Sequence, residues 1–247
     1  MDSFFSGLVL LDVHQELARN IVSLRVSENL FDDLSPDPTE QASAVQLEMA
    51  TKPPTYQSKL PAIDRPFEEA EWLAAVEFPY IEWSTSRYSD GRFGEWYGAD
   101  TIATTVYETV YHWRRKFLED AGFTQDGIVG ERKVYWVQCN AALIDLRQRI
   151  SDYPALLDND YGFTQSIGKR LHREGHPGLL TRSARCDGDA YAVFTPQVLS
   201  APRIACYLTY RTAGDGVEVE KEAGAVWMTI GVGLLPVIQN RWSSGHL

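Results

Sequence analysis

The sequence predicts an α+β fold in one domain. Three observations carry that expectation. Residues 101–119 set Ile102, Val106, Val110, Trp113 and Phe117 at helical spacing. KVYWVQCNAALIDL is a long apolar run that suits a core strand. Helical and strand-like stretches then follow one another without regular βαβ alternation, and 247 residues suffice for one large core.

In chain order, an apolar opening leads to LDVHQELARNIVSL, whose Ile21, Val22 and Leu24 have β-rich composition. NLFDDLSPDP supplies turn residues, and PTEQASAVQLEMAT reads as a short helix with Pro38 near its first turn. Prolines 53, 54, 61 and 66 mark an ordered loop or a cover over a cleft. FEEAEWLAAVEF predicts another short helix, and FPYIEWSTSRYSDGRFGEWYGA a hairpin of short strands. Asp100 or Thr101 is placed to cap the helix at 101–119, which Gly122 ends. Beyond the core strand, YGFTQSIGKRLHREG predicts a second long helix stopped by Gly175. GLLT, DAYAVFTP and IACYLTYRT predict three more strands.

Composition narrows the function. The net charge is −11, so the chain gains little from phosphate-backbone counterion release, and direct nucleic-acid binding is disfavoured. A local basic pocket for a small anion stays compatible with that charge. Cys139, Cys186 and Cys206 form no C-x-x-C pair and read as separate thiols in a reducing cytosol. The five histidines are scattered, so no metal site is expected. SGLVLL lacks the basic flank of a secretory signal. AGAVWMTIGVGLLPVI, at 223–238, is shorter than the roughly 20 residues a spanning helix needs and contains Gly231, Gly233 and Pro236. It is expected to be buried strand material or an interaction surface, not a membrane anchor.

The densest chemistry lies at 87–113. Glu108 sits mid-helix among Val106, Tyr107, Val110 and Tyr111, either facing solvent beside His112 or serving as a site carboxylate. Arg87 and Arg92 flank an SDG turn, and guanidinium groups there suit a diphosphate or carboxylate. Tyr97 precedes Gly98 and is either a flat wall for a ring or a core aromatic. Ser183 and Arg185 fall in a loop between two expected strands. No G-x-S-x-G, P-loop or G-x-G-x-x-G pattern occurs, so a serine nucleophile and the common nucleotide folds lack their signatures.

Three blocks together resemble the RES domain family. SLRVSENLFDDL is similar to the family's early Arg and LFD-type motif and places Arg25 at the named arginine. RYSDGRFGEWYGADTIATTVYETVYH resembles R-F-S-D-G-x-F-G-V-Y-Y-A-A followed by T-A-x-x-E, which maps Arg87, Tyr97 and Glu108 to its arginine, aromatic and glutamate. SARCDGDAYAVFTPQVLS is similar to S-x-R-x-x-G-G-x-x-x-A-V-F-x-P and maps Ser183 to the named serine. Departures include Val26, Asp189 in place of a small residue, and the added charge of Arg92. Beyond about residue 219 no family match is found.

The resemblance implies an ADP-ribosyltransferase-like fold with a mixed, mainly antiparallel sheet, in a catalytic domain at 1–219. The motifs span 20–210, and 220–247 form a C-terminal extension packed on the domain. It implies a bacterial cytoplasmic enzyme that cleaves NAD by phosphorolysis or hydrolysis, with NAD as substrate, inorganic phosphate as co-substrate and no other cofactor. It also implies the toxin of a toxin–antitoxin pair, its site occluded by an Xre-type antitoxin; homo-oligomerisation is left open. A protein ADP-ribosyltransferase and a non-catalytic NAD or ADP-ribose binding module are the alternatives. The expected catalytic residues are Glu108, Arg25 and Ser183. The expected substrate-binding residues are Arg87, Tyr97, Arg185 and Arg92.

Overall fold

A computed structural model describes residues 2–23, 72–123 and 125–231. Eight strands form one sheet: β1 (Val9–Val22), β2 (Trp96–Ala99), β3 (Val129–Asp145), β4 (Gly178–Arg182), β5 (Asp189–Val193), β6 (Leu199–Ala213), β7 (Gly216–Glu222) and β8 (Ala225–Gly231). Pairing is antiparallel throughout except between β3 and β4. Helices are α1 (Asp2–Phe5), α2 (Phe78–Ile81, preceded by the π-helical turn Leu73–Glu77), α3 (Ile102–Tyr111, continued by π-helical His112–Leu118) and α4 (Gly162–Arg173). The protein is therefore α+β with a mixed, mainly antiparallel sheet. Among the described residues, no helix is long and apolar enough to cross a membrane.

The long β3 organises the sheet. Val9–Val22 of β1 run along one edge of it, while β6 and then β4 occupy the other. β1 also meets β2 at the single pair Ala18–Ala99, and β2–β5–β4 leads back to β3, so five strands close a ring. One apolar cluster collects side chains from all five, including Leu17, Trp96, Val137, Leu180 and Val193, with Ala75 and Val76 packed on it. A second cluster unites α1, α4 and the 88–93 turn with Leu179 and Ala192. A third packs Val106 and Val110 of α3 on Ala18, Val134, Leu208 and Val217. Alternation along a strand explains this division: Leu17 and Ala18 point to opposite faces and serve different cores.

The expected strands at 133–146, 178–181, 189–196 and 204–212 are present, as are both long helices. The expected hairpin is corrected. Residues 78–81 are helical with Pro79 in the first turn, and the SDG turn carries only the isolated bridge Thr85–Asp90 before β2. Short aromatic runs do not distinguish a strand from a helical turn when their neighbours decide which face is buried. The apolar segment from 223 contains a strand, β8, and of its two expected roles, buried strand material or an interaction surface, the first is corrected. Val226 and Trp227 are exposed and, among its described residues, only Ile230 is buried. The helix expected at 38–51, the proline loop and residues 232–238 lie outside the described residues. All three cysteines are free thiols.

Candidate functional site

Helix α3 carries the carboxylate. Thr101 caps it, its hydroxyl oxygen accepting the Thr104 N–H, while the Thr104 hydroxyl donates to Asp100 at 2.7 Å. Asn20 of β1 donates to Thr105 and Thr109, each at 3.3 Å, so the helix is tied to the ring by polar as well as apolar contacts. Thr101→Ala should cost about 1 kcal/mol of stability. An unchanged midpoint in chemical denaturation would show that the cap contributes nothing.

Glu108 faces the 183–188 loop that leaves β4. The buried Ser183 hydroxyl donates to its Oε1 at 2.5 Å, and the Ala184 N–H reaches the same oxygen at 3.0 Å. The Arg185 N–H in turn donates to Ser183 Oγ at 3.0 Å. Both contacts engage Oε1, which leaves Oε2 as the open edge of the carboxylate among the described residues. The Ser183 proton is directed at Glu108, so the serine fixes the orientation of the carboxylate. The loop is seated tightly: a Cβ at Gly188 would collide with Thr104, so this turn requires glycine. Asp189, which begins β5, accepts from Arg147 and Arg182, each at 2.7 Å. The departure from a small residue there thus builds an ionic clamp at the base of the loop.

The arginines spend their donors on one segment. Arg185 is 2% exposed, lies 3.3 Å from the centroid of the Tyr111 ring and donates to Asn159 Oδ1 at 2.5 Å. Arg87 donates to the carbonyls of Leu156 at 3.2 Å and Asp158 at 2.6 Å, and lies over the Tyr161 ring. Arg92 points to solvent beside Asp90. Arg25 lies outside the described residues.

Tyr97 is held by its hydroxyl, which accepts the Tyr88 N–H at 3.1 Å and donates to Glu95 Oε2 at 2.7 Å; Ser86 donates to the same Glu95 oxygen. Burial pushes the Glu95 carboxyl up to about 7, against the lowering effect of the Ser86 and Tyr97 hydrogen bonds, the Tyr88 backbone and the Arg87 charge. Arg19, Ser86, Glu95 and Tyr97 border a cavity of about 180 Å³. Among the described residues, no group of three His, Cys, Asp or Glu side chains is placed to hold a metal.

The structure thus brings Glu108, Ser183 and Arg185 together, sets Arg87 on the segment that Arg185 also touches, and leaves Arg92 in solvent. Sequence reasoning missed Glu95, Tyr111 and Asn159. The alternation of GEWYGA offered a weak signal for Glu95, since it shares a strand-like face with Tyr97. Asn159 lies in the turn-like DND and offered none.

The RES domain family matches residues 62–213, and the chain belongs to it. No curated protein matches the sequence. Among solved structures, a chain of the M. tuberculosis MbcT–MbcA toxin–antitoxin complex is similar with a TM-score of 0.43 and 11% identity, covering 81% of this chain and 86% of that one.

Proposed function

We propose that this protein consumes NAD by breaking the bond between nicotinamide and ribose, on an ADP-ribosyltransferase-like scaffold. The observation that carries the reading is the Glu108 carboxylate, fixed through one oxygen by Ser183 and Ala184 in a chain of the RES family. Nicotinamide leaves NAD as a neutral ring from a cationic precursor, so the reaction asks little of a general acid. It asks for an anchored diphosphate, an oriented ribose and negative charge near the developing oxocarbenium. Glu108 Oε2 suits a ribose hydroxyl and that cation, and Arg185 suits the anionic part of the substrate. Tyr97 shapes the wall from which α3 departs, and the family resemblance assigns Arg25 to anion binding.

Phosphorolysis is the favoured route: phosphate attacks the anomeric carbon, the glycosidic C–N bond breaks with its electron pair on nicotinamide, and ADP-ribose-1″-phosphate forms. Water in place of phosphate yields ADP-ribose. The setting we propose is the bacterial cytosol, with the protein as the toxin of a toxin–antitoxin pair and an Xre-type partner covering the site.

Incubating the purified full chain with NAD tests the reading. Nicotinamide should appear, and added inorganic phosphate should accelerate it while diverting the product to the 1″-phosphate. Release that ignores phosphate identifies a hydrolase. Labelled NAD that instead marks a macromolecule identifies protein ADP-ribosylation, and binding without release identifies a non-catalytic module.

A further inference from the structure

Two arginines from distant parts of the chain converge on the six residues 156–161. Arg87 holds the Leu156 and Asp158 carbonyls, Arg185 holds the Asn159 side chain, and the Tyr161 ring lies under Arg87. Neither guanidinium is paired with a carboxylate among the described residues. Arg185 is 2% exposed, and its Nε is buried without a hydrogen-bond partner. A desolvated cation compensated only by a tyrosine ring and an amide oxygen is costly, and an arriving anion relieves that cost.

The chemistry of Asn159 then fixes its orientation. A guanidinium only donates hydrogen bonds, so the amide oxygen must face Arg185 and the amide nitrogen must face away from it. Asn159 is exposed, so Nδ2 is a donor open to solvent on the residue that Arg185 links to the Glu108–Ser183 pair. Arg185 bridges the two through its backbone N–H on Ser183 Oγ.

We infer that residues 156–161 form a wall of the substrate site and that Asn159 is a binding residue, donating through Nδ2 to the diphosphate of the substrate. The inference rests on the NAD reading and adds a residue to it that lies outside the three sequence blocks. It assigns Arg87 a positioning role as well, since its donors shape the wall.

Asn159→Asp tests the assignment, because the variant keeps an acceptor for Arg185 and replaces the outward donor with negative charge. ADP-ribose binding by the full chain, followed by calorimetry, should weaken about tenfold or more. The KM for NAD should rise in parallel while kcat changes less than about threefold. Affinity for nicotinamide riboside, which lacks the diphosphate, should not change. Asn159→Ala, with near-ultraviolet circular dichroism as the folding control, should weaken ADP-ribose binding by a smaller factor. Affinities within about twofold of wild type in both variants would overturn the inference. Equal loss for nicotinamide riboside would overturn the diphosphate placement. A wild-type chain that neither binds ADP-ribose nor releases nicotinamide would instead overturn the NAD reading and take the inference with it.

Discussion

Replacing Glu108 with glutamine should lower nicotinamide release from NAD by about 10²–10³-fold while leaving the fold intact. The geometry favours Gln over Ala for this purpose. The glutamine oxygen can still accept from Ser183 and the Ala184 N–H, so the loop stays seated on α3. What disappears is the negative charge. Single-turnover assays should place the loss in the chemical step, with ADP-ribose affinity retained within a small factor. A variant that turns over NAD at the wild-type rate would remove Glu108 from the chemistry. The Ser183→Ala counterpart leaves the Ala184 N–H in place, so its defect should be smaller.

Stability should respond to pH through Glu95. Its carboxyl is buried and sits near 7 in the folded protein against an ordinary value of 4.5. As pH rises from about 4.5 to 7, the unfolded chain releases this proton while the folded chain keeps it. The unfolded state then binds fewer protons, and stability falls across that window before levelling above it. The gap corresponds to a loss on the order of 3 kcal/mol. Glu95→Gln mimics the protonated form and should remove this component. Its stability should match the wild type at pH 4.5 and exceed it at pH 8, as read from denaturation midpoints. A constant difference between the two proteins over that range would show that Glu95 does not titrate there. The same carboxyl accepts from Ser86, next to Arg87, so its ionisation bears on the turn that carries that arginine.

What the sequence revealed follows from what periodicity can encode. Helix α3 was legible because Ile102, Val106 and Val110 repeat at one face, and β3 because its run is apolar on both faces. The first strand was legible only at its end. Asp12, His14 and Glu16 are exposed on its outer face, but Leu10 and Gln15 break the alternation that would have marked a 14-residue strand. The turn at 85–91 was legible as a turn but not as an irregular one, since its Ser86, Ser89 and Glu95 hydrogen bonds depend on tertiary neighbours. For the site, block order placed Glu108, Ser183 and Arg185 in one constellation. Local reasoning could not choose between His112 and a remote partner for Glu108, because a helix face does not name what docks on it. The role of 156–161 was beyond reach for the same reason: LLDNDY spells a turn, and only the folded chain brings two arginines to it.

The closure of the ring has a consequence for the protein's birth. Val22 pairs with Arg132 and Val9 with Asp145, so the first strand finds the partner that pairs along its whole length only after more than half of the chain has been made. Contacts of such long range slow folding, since loop closure must precede their reward. Glu108 and Ser183 are themselves 75 residues apart. On the ribosome the carboxylate emerges well before the hydroxyl that anchors it, and the nascent chain holds an unassembled centre until β4 and the loop after it have been translated.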